Sequence, residues 1–135
     1  MTVFAWILVA LAILVLVLTP LRLRGSRGQD GMVDFSGWAL NLHSITLVIG
    51  LGLIVLRLLD IHESSFATWV AILSLVIASL VGLSFLARWR RSGSRHAVAF
   101  GGDSWTSGPW LSMIAHIGLA IGTIAFAWLL LADKI

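Results

Sequence analysis

The segment FATWVAILSLVIASLVGLSFLA, residues 66–87, decides the fold because it carries no charged side chain anywhere along its length. A helix needs about 20 apolar residues to cross a hydrocarbon core about 30 Å thick. A strand or an irregular segment of this composition would leave backbone N–H and C=O groups unpaired in lipid. The segment therefore predicts a transmembrane helix.

Three further apolar runs surround this segment, at approximately residues 3–19, 38–59 and 110–132. Together the four runs predict an all-α integral membrane protein, a four-transmembrane-helix bundle that forms one membrane domain over residues 1–135. The first run has no basic segment before it and no Ala-x-Ala-like cleavage site. We therefore interpret it as a retained helix and not as a signal peptide.

The composition agrees with a lipid environment. Hydrophobic residues make up 59% of the 135 residues and charged residues 11%, and the mean hydropathy is +1.03. A soluble domain has about 45–50% and about 25% respectively. The formal net charge of +3 comes mainly from arginines beside the apolar runs, where they are topology signals, so we expect no nucleic-acid partner. The absence of cysteine excludes disulfides, thiolate metal sites and cysteine nucleophiles.

The connecting loops alternate in charge. Residues 20–37 and 88–109 hold seven of the nine Lys and Arg residues, whereas the short connection between them carries Asp60 and Glu63. The positive-inside rule places the two basic loops in the cytoplasm and both termini outside, an N-out/C-out topology. We expect the membrane to be the bacterial cytoplasmic membrane. The tryptophans fall near the ends of the runs, as interfacial indole rings do.

The four helices resemble two tandem hairpins. The first and third both open on a Phe-Ala-Trp-like sequence, and the second and fourth each carry a histidine near the start, His43 and His116. Each histidine precedes an aspartate by 17 residues, Asp60 and Asp133. A duplication would relate the hairpins by an approximate two-fold axis along the membrane normal. A chance likeness between two apolar hairpins explains the same pattern.

The candidate site is the pair His43 and His116, the only histidines within predicted helices. Ionisable groups at membrane depth are costly and face a bundle interior. Both lie about 9–10 Å from the same membrane boundary, at 1.5 Å of rise per residue. If their helices are neighbours or diagonal partners, the imidazoles predict a bis-histidine site for haem b, with no metal other than the haem iron. Arg24 and Arg91, at that boundary, are candidate partners for the haem propionates.

The same residues allow other interpretations. Two membrane histidines also suit helix packing or interfacial hydrogen bonding, a pigment with one axial histidine, or a quinone, proton or ion role. Four glycines have two interpretations: Gly50, Gly52, Gly118 and Gly122. They either provide clearance for a porphyrin near the histidines or form surfaces at which helices pack closely. Arg57 is expected to extend to the membrane surface or to pair with Asp60.

Several functional classes are excluded by missing patterns. The sequence has no Gly-rich phosphate loop, no His-Glu-x-x-His motif, and no carboxylate within a predicted span for proton-coupled transport. It offers no site for a soluble substrate. We therefore expect no autonomous enzyme but a small integral membrane subunit of a larger, energy-transducing electron-transfer complex, with other membrane protein subunits and lipid as partners. The alternative is a non-redox structural or transport-associated membrane protein in which the histidines only pack.

Overall fold

The computed structural model describes residues 2–25, 37–61, 64–91 and 110–135, and this part of the chain forms four α-helices. The helices are α1 Thr2–Gly25, α2 Gly37–Leu58, α3 Ser65–Arg91 and α4 Trp110–Leu131. For residues 19–25, 88–91 and 110–112 the description covers the backbone but not the side chains. The prediction of an all-α fold is confirmed for these described residues.

Three of the helices are long and apolar enough to cross a membrane. These spans are Gly37–Leu58, Ser65–Ala87 and Met113–Leu131. The apolar part of α1, Thr2–Leu18, has 17 residues and is shorter than the others. A helical membrane protein is therefore supported, whereas the fourth span and the orientation stay predictions.

The helices surround a common core. α3 lies between α2 and α4 and packs along both, most extensively along α2. α1 touches α2 and α4 over much shorter stretches, and within the described ranges no Cα atom of α2 comes within 8 Å of one in α4. The order around the bundle is therefore α1, α2, α3, α4, with α2 and α4 diagonally opposed.

The core lies nearer the end of the bundle at which α2 and α4 finish. Its buried members come from all four helices: Ala5, Val9, Leu47, Leu51, Ile54, Ala71, Leu75, Ala78, Phe126, Leu129 and Leu130. Small residues let helix backbones approach closely in lipid, where no hydrophobic force drives association. Gly50 shows this directly, because a Cβ atom there would come within 2.8 Å of Cδ2 of Leu75. Gly50 therefore allows α2 to pack closely against α3.

Helices α2 and α4 end in the same way. Asp60 and Asp133 have positive φ angles of 55° and 52°. The N–H groups of Asp60 and Ile61 donate back to the carbonyl oxygens of Arg57 and Leu56, each at 3.0 Å, and the equivalent bonds of α4 measure 3.4 and 2.9 Å. These are two copies of the Schellman cap. Their equivalence agrees with the repeat noted in the sequence.

We name the two ends of the bundle by these residues. The histidine end is the one at which α2 and α4 begin, near His43 and His116. The aspartate end is the one at which α2 and α4 finish, at Asp60 and Asp133.

Candidate functional site

His43 and His116 meet at the histidine end. Each lies in the second turn of its helix, and the ring centroids are 5.9 Å apart with an angle of 33° between the ring planes. Because α2 and α4 are diagonal partners, the two helices approach each other here through these long side chains and not through their backbones. The structure therefore brings the two imidazoles together, as predicted.

The His43 ring is held in one orientation by α3. Its Nδ1 lies 2.8 Å from the carbonyl oxygen of Ala78. A carbonyl oxygen only accepts hydrogen bonds, so Nδ1 must carry the proton and donate it. In the neutral ring, Nε2 then carries the lone pair. This is the arrangement in which a histidine presents Nε2 as a ligand or as a hydrogen-bond acceptor.

Both imidazole rings pack against a glycine of α3, Gly82. A Cβ atom at this position would lie 2.5 Å from Cδ2 of His116 and 3.1 Å from Cε1 of His43. The first distance is shorter than any real carbon–carbon contact, and the second is tight. Both imidazole rings therefore rest against the same turn of the α3 backbone, and any side chain larger than hydrogen would displace one of them.

Phe85 covers one edge of the pair. Its ring lies 5.8 Å from that of His43 at an angle of 68°, an edge-on geometry favoured between aromatic rings. Phe85 is buried, so it contributes an apolar wall one turn beyond Gly82. Sequence reasoning identified neither residue. The signal for Gly82 was an isolated glycine inside an otherwise apolar helix, which often marks a close approach of another group.

The other residues predicted for this site have mixed outcomes. Arg24 and Arg91 lie in the last turns of α1 and α3, but their side chains are outside the described part, so pairing with propionates stays a prediction. The two interpretations of the four glycines divide between them. Gly50 packs closely against Leu75, as the close-packing interpretation predicts. A Cβ atom at the other three would meet nothing within 4 Å, so clearance for a porphyrin stays a prediction there: Gly52, Gly118 and Gly122. The glycine that makes room for the two imidazole rings themselves is Gly82.

Arg57 pairs with Asp133 and not with Asp60. Its Nε donates to the backbone oxygen of Ile135 at 2.7 Å, and its Nη2 donates to Oδ1 of Asp133 at 2.8 Å. Of the two alternatives expected for Arg57, pairing with Asp60 was wrong, because both of its side-chain bonds go to the end of α4. Asp133 is brought to the guanidinium group by α4 instead.

Among the described residues, His43 and His116 are the candidate metal ligands. Across these ranges no group of three or more His, Cys, Asp or Glu side chains comes together. A metal at the histidine pair would therefore take its remaining ligands from outside the described side chains. Comparison with known proteins finds no matching family model, no matching curated protein and no matching solved structure.

Proposed function

We propose that the chain is a small integral membrane subunit of a larger, energy-transducing electron-transfer complex, in which His43 and His116 are the axial ligands of a b-type haem. The observation that carries the proposal is the hydrogen bond from His43 Nδ1 to the carbonyl oxygen of Ala78, beside a second imidazole at 5.9 Å. Histidines that bind metals almost always donate their other N–H in this way, which fixes the tautomer and orients the ring.

The donor set fits this cofactor. The two imidazole rings, whose centroids lie 5.9 Å apart, are close enough that they could hold one metal ion between them. A tetrahedral metal ion would need two further protein ligands, and the described side chains bring none to the pair. A porphyrin carries four nitrogen ligands of its own. When bound, the haem would supply reversible one-electron chemistry.

The chain's own residues have clear roles in this proposal. His43, through Nε2, and His116 would hold the haem iron, and the Ala78 carbonyl oxygen orients the ring of His43. Phe85 and the backbone at Gly82 exclude water from one side of the pair, and such burial adjusts the reduction potential of a haem. Arg24 and Arg91 are proposed as partners of the propionates.

Membership of a larger assembly is supported by the apolar outer surface. On α4 the exposed fractions of Ile114, Ile121 and Ile124 are 66%, 63% and 71%. Such a surface suits lipid and the helices of partner subunits. We further propose that all four helices span the membrane, with residues 20–37 and 88–109 in the cytoplasm and both termini outside, as the arginine distribution indicates for a bacterial cytoplasmic membrane.

One observation favours a second candidate, a non-redox structural or transport-associated protein. Both imidazole rings already lie against α3, because a methyl group at Gly82 would overlap His116. A pair of histidines that only packs helices needs contacts of this kind and no cofactor. In that case the hydrogen bond from His43 to Ala78 joins α2 to α3.

A reduced-minus-oxidised absorption spectrum of the gently purified protein tests the proposal. We expect an α-band typical of b-type haem that remains after partner subunits are removed. His43→Ala and His116→Ala should each abolish it, and His96→Ala, which changes a histidine in a basic loop, should not. Full haem content in both site variants would contradict the ligand assignment. Absence of the band together with co-purifying subunits would favour the second candidate.

A further inference from the structure

A cavity opens at the aspartate end, away from the histidine pair. Its volume is about 330 Å³, and its walls include Arg57 of α2, Trp69 of α3 and Asp133 just beyond α4. Sites for small ligands usually have volumes of about 300–1,000 Å³. The cavity is therefore large enough for a small polar group such as a lipid headgroup.

Arg57 is a fixed cation in the wall of this cavity. Only 17% of its side chain is exposed, and bonds to Asp133 and to the Ile135 carbonyl hold the guanidinium group in place. A guanidinium group has five N–H donors. The two bonds use two of them, and the remaining donors are suited to a phosphate group.

Asp133 presents the opposite charge beside it. Its side chain is 88% exposed, and its bond to Arg57 uses Oδ1. A lone anion bound at Arg57 would be repelled by this carboxylate, and a lone cation bound at Asp133 would be repelled by the guanidinium group. A ligand that carries both charges avoids the two repulsions. The cavity is thus complementary to a zwitterion.

Trp69 and the position of the cavity indicate which zwitterion. The indole side chain of Trp69 is 61% exposed, and the face of an indole ring attracts ammonium groups. Arg57 is the residue before the last one in the α2 span, so the cavity lies where an apolar span gives way to the headgroup region. Phospholipid headgroups that pair a phosphate with an ammonium group occupy this region.

We propose that this cavity binds a phosphate–ammonium zwitterion, the headgroup of a phosphatidylethanolamine-type lipid, with its phosphate on Arg57 and its ammonium group between Asp133 and Trp69. The proposal does not depend on the haem. The assignment of the ligand as a lipid, however, does depend on the placement of the chain in a membrane. Soluble glycerophosphoethanolamine carries the same phosphodiester and ammonium groups without acyl chains and separates the two sources.

Native mass spectrometry of the full chain in detergent tests the proposal. The lipids compared are phosphatidylethanolamine and phosphatidylglycerol with identical acyl chains. We expect phosphatidylethanolamine to bind about two- to fivefold more tightly, as one partly exposed ion pair allows. Equal or tighter binding of phosphatidylglycerol would overturn the proposal. Binding of soluble glycerophosphoethanolamine without the lipid would support the site but reassign its source.

The chain offers a matched control. Asp133→Asn removes the carboxylate charge but keeps a residue that tolerates a positive φ, so the helix cap remains. It should remove the preference for phosphatidylethanolamine. Asp60→Asn makes the same change at the equivalent cap of α2, whose residue does not line the cavity, and should leave the preference unchanged. A preference that survives Asp133→Asn contradicts the proposal.

A second variant covers the case in which Asp133→Asn does not fold. Trp69→Leu replaces an exposed apolar side chain by another and removes the indole ring. The preference for the ammonium headgroup should become smaller than that of the unchanged chain, because the ammonium group loses its cation–π contact. Circular dichroism verifies that the helices are intact. An unchanged preference in a folded Trp69→Leu protein would exclude the proposed position of the ammonium group.

Discussion

The hydroxyl groups of Ser79 and Thr123 lie 2.8 Å apart in the interior, where they join α3 to α4. Both side chains are buried, at 6% exposure each. One hydroxyl donates and the other accepts, so neither leaves an unpaired polar group in the core. The pair lies one turn from Gly82 towards the aspartate end, and it helps to fix how far α3 and α4 can slide past each other.

Replacing Ser79 by Ala should destabilise the bundle by about 0.6 kcal/mol, the average for hydrogen bonds between membrane helices. The cost is small because Thr123 can turn its hydroxyl to the carbonyl of its own helix. Unfolding by a denaturing detergent, followed by tryptophan fluorescence, measures the change. Thr123→Val, which keeps the shape, completes a double-mutant cycle. Strictly additive effects would show that the two hydroxyls do not interact.

Replacing Gly82 by Ala should lower the free energy of unfolding by about 1–3 kcal/mol, the usual cost of forcing an extra carbon into a packed interior. The new methyl group would overlap His116. Thermal unfolding followed by circular dichroism measures the loss.

Two controls distinguish this overlap from a general effect of alanine. Gly52→Ala adds a methyl group where nothing lies within 4 Å, so it should be neutral or slightly stabilising. His116→Ala removes the ring that Gly82→Ala displaces, so the double variant should recover most of the loss. Equal destabilisation with and without His116 would refute the contact.

The two aspartate caps make a paired prediction. Asp60→Gly should stabilise the protein by up to about 1 kcal/mol, because glycine adopts the observed positive φ of 55° without steric cost. Asp133→Gly gains the same conformational benefit but loses the ion pair with Arg57, so it should stabilise less. Thermal midpoints of the two variants give the comparison. A larger gain at Asp133 would mean that its ion pair is unfavourable.

Cysteine labelling can test the four-span topology, since the chain contains no cysteine of its own. We expect a membrane-impermeant maleimide to label Thr2→Cys and Lys134→Cys in intact cells. Ser26→Cys and Ser94→Cys, in the basic loops, should react only after permeabilisation. If α1 does not cross the membrane, Thr2→Cys and Ser26→Cys will react from the same side.

The sequence predicted the helices well because the cost of exposing backbone groups to lipid leaves no other structure for long apolar segments. The run at residues 66–87 lies within α3, Ser65–Arg91. The end of that helix was missed because its backbone continues past the apolar segment into arginine-rich sequence, where helix propensity is high and hydropathy is not informative. Hydropathy marks the span and not the whole helix.

The histidine pair was predictable from depth alone, since His43 and His116 occupy equivalent turns of two helices that run in the same direction. Gly82 was not predictable. α3 is apolar around its whole circumference, so no amphipathic pattern reveals which face turns towards α2 and α4. The pairing of Arg57 with Asp133 was missed for a similar reason, because the partners are 76 residues apart and only the packing of α4 brings them together.

The way α1 packs, over short stretches of α2 and α4, has a consequence for biosynthesis. Ala5 and Val9 belong to the same buried core as Leu129 and Leu130 at the end of α4. Of these four helices the ribosome makes α1 first and α4 last, so α1 has only one of its two neighbours until α4 has been made. Until then Ala5 and Val9 lack their contacts with the end of α4. The packing of α1 is thus completed only by α4.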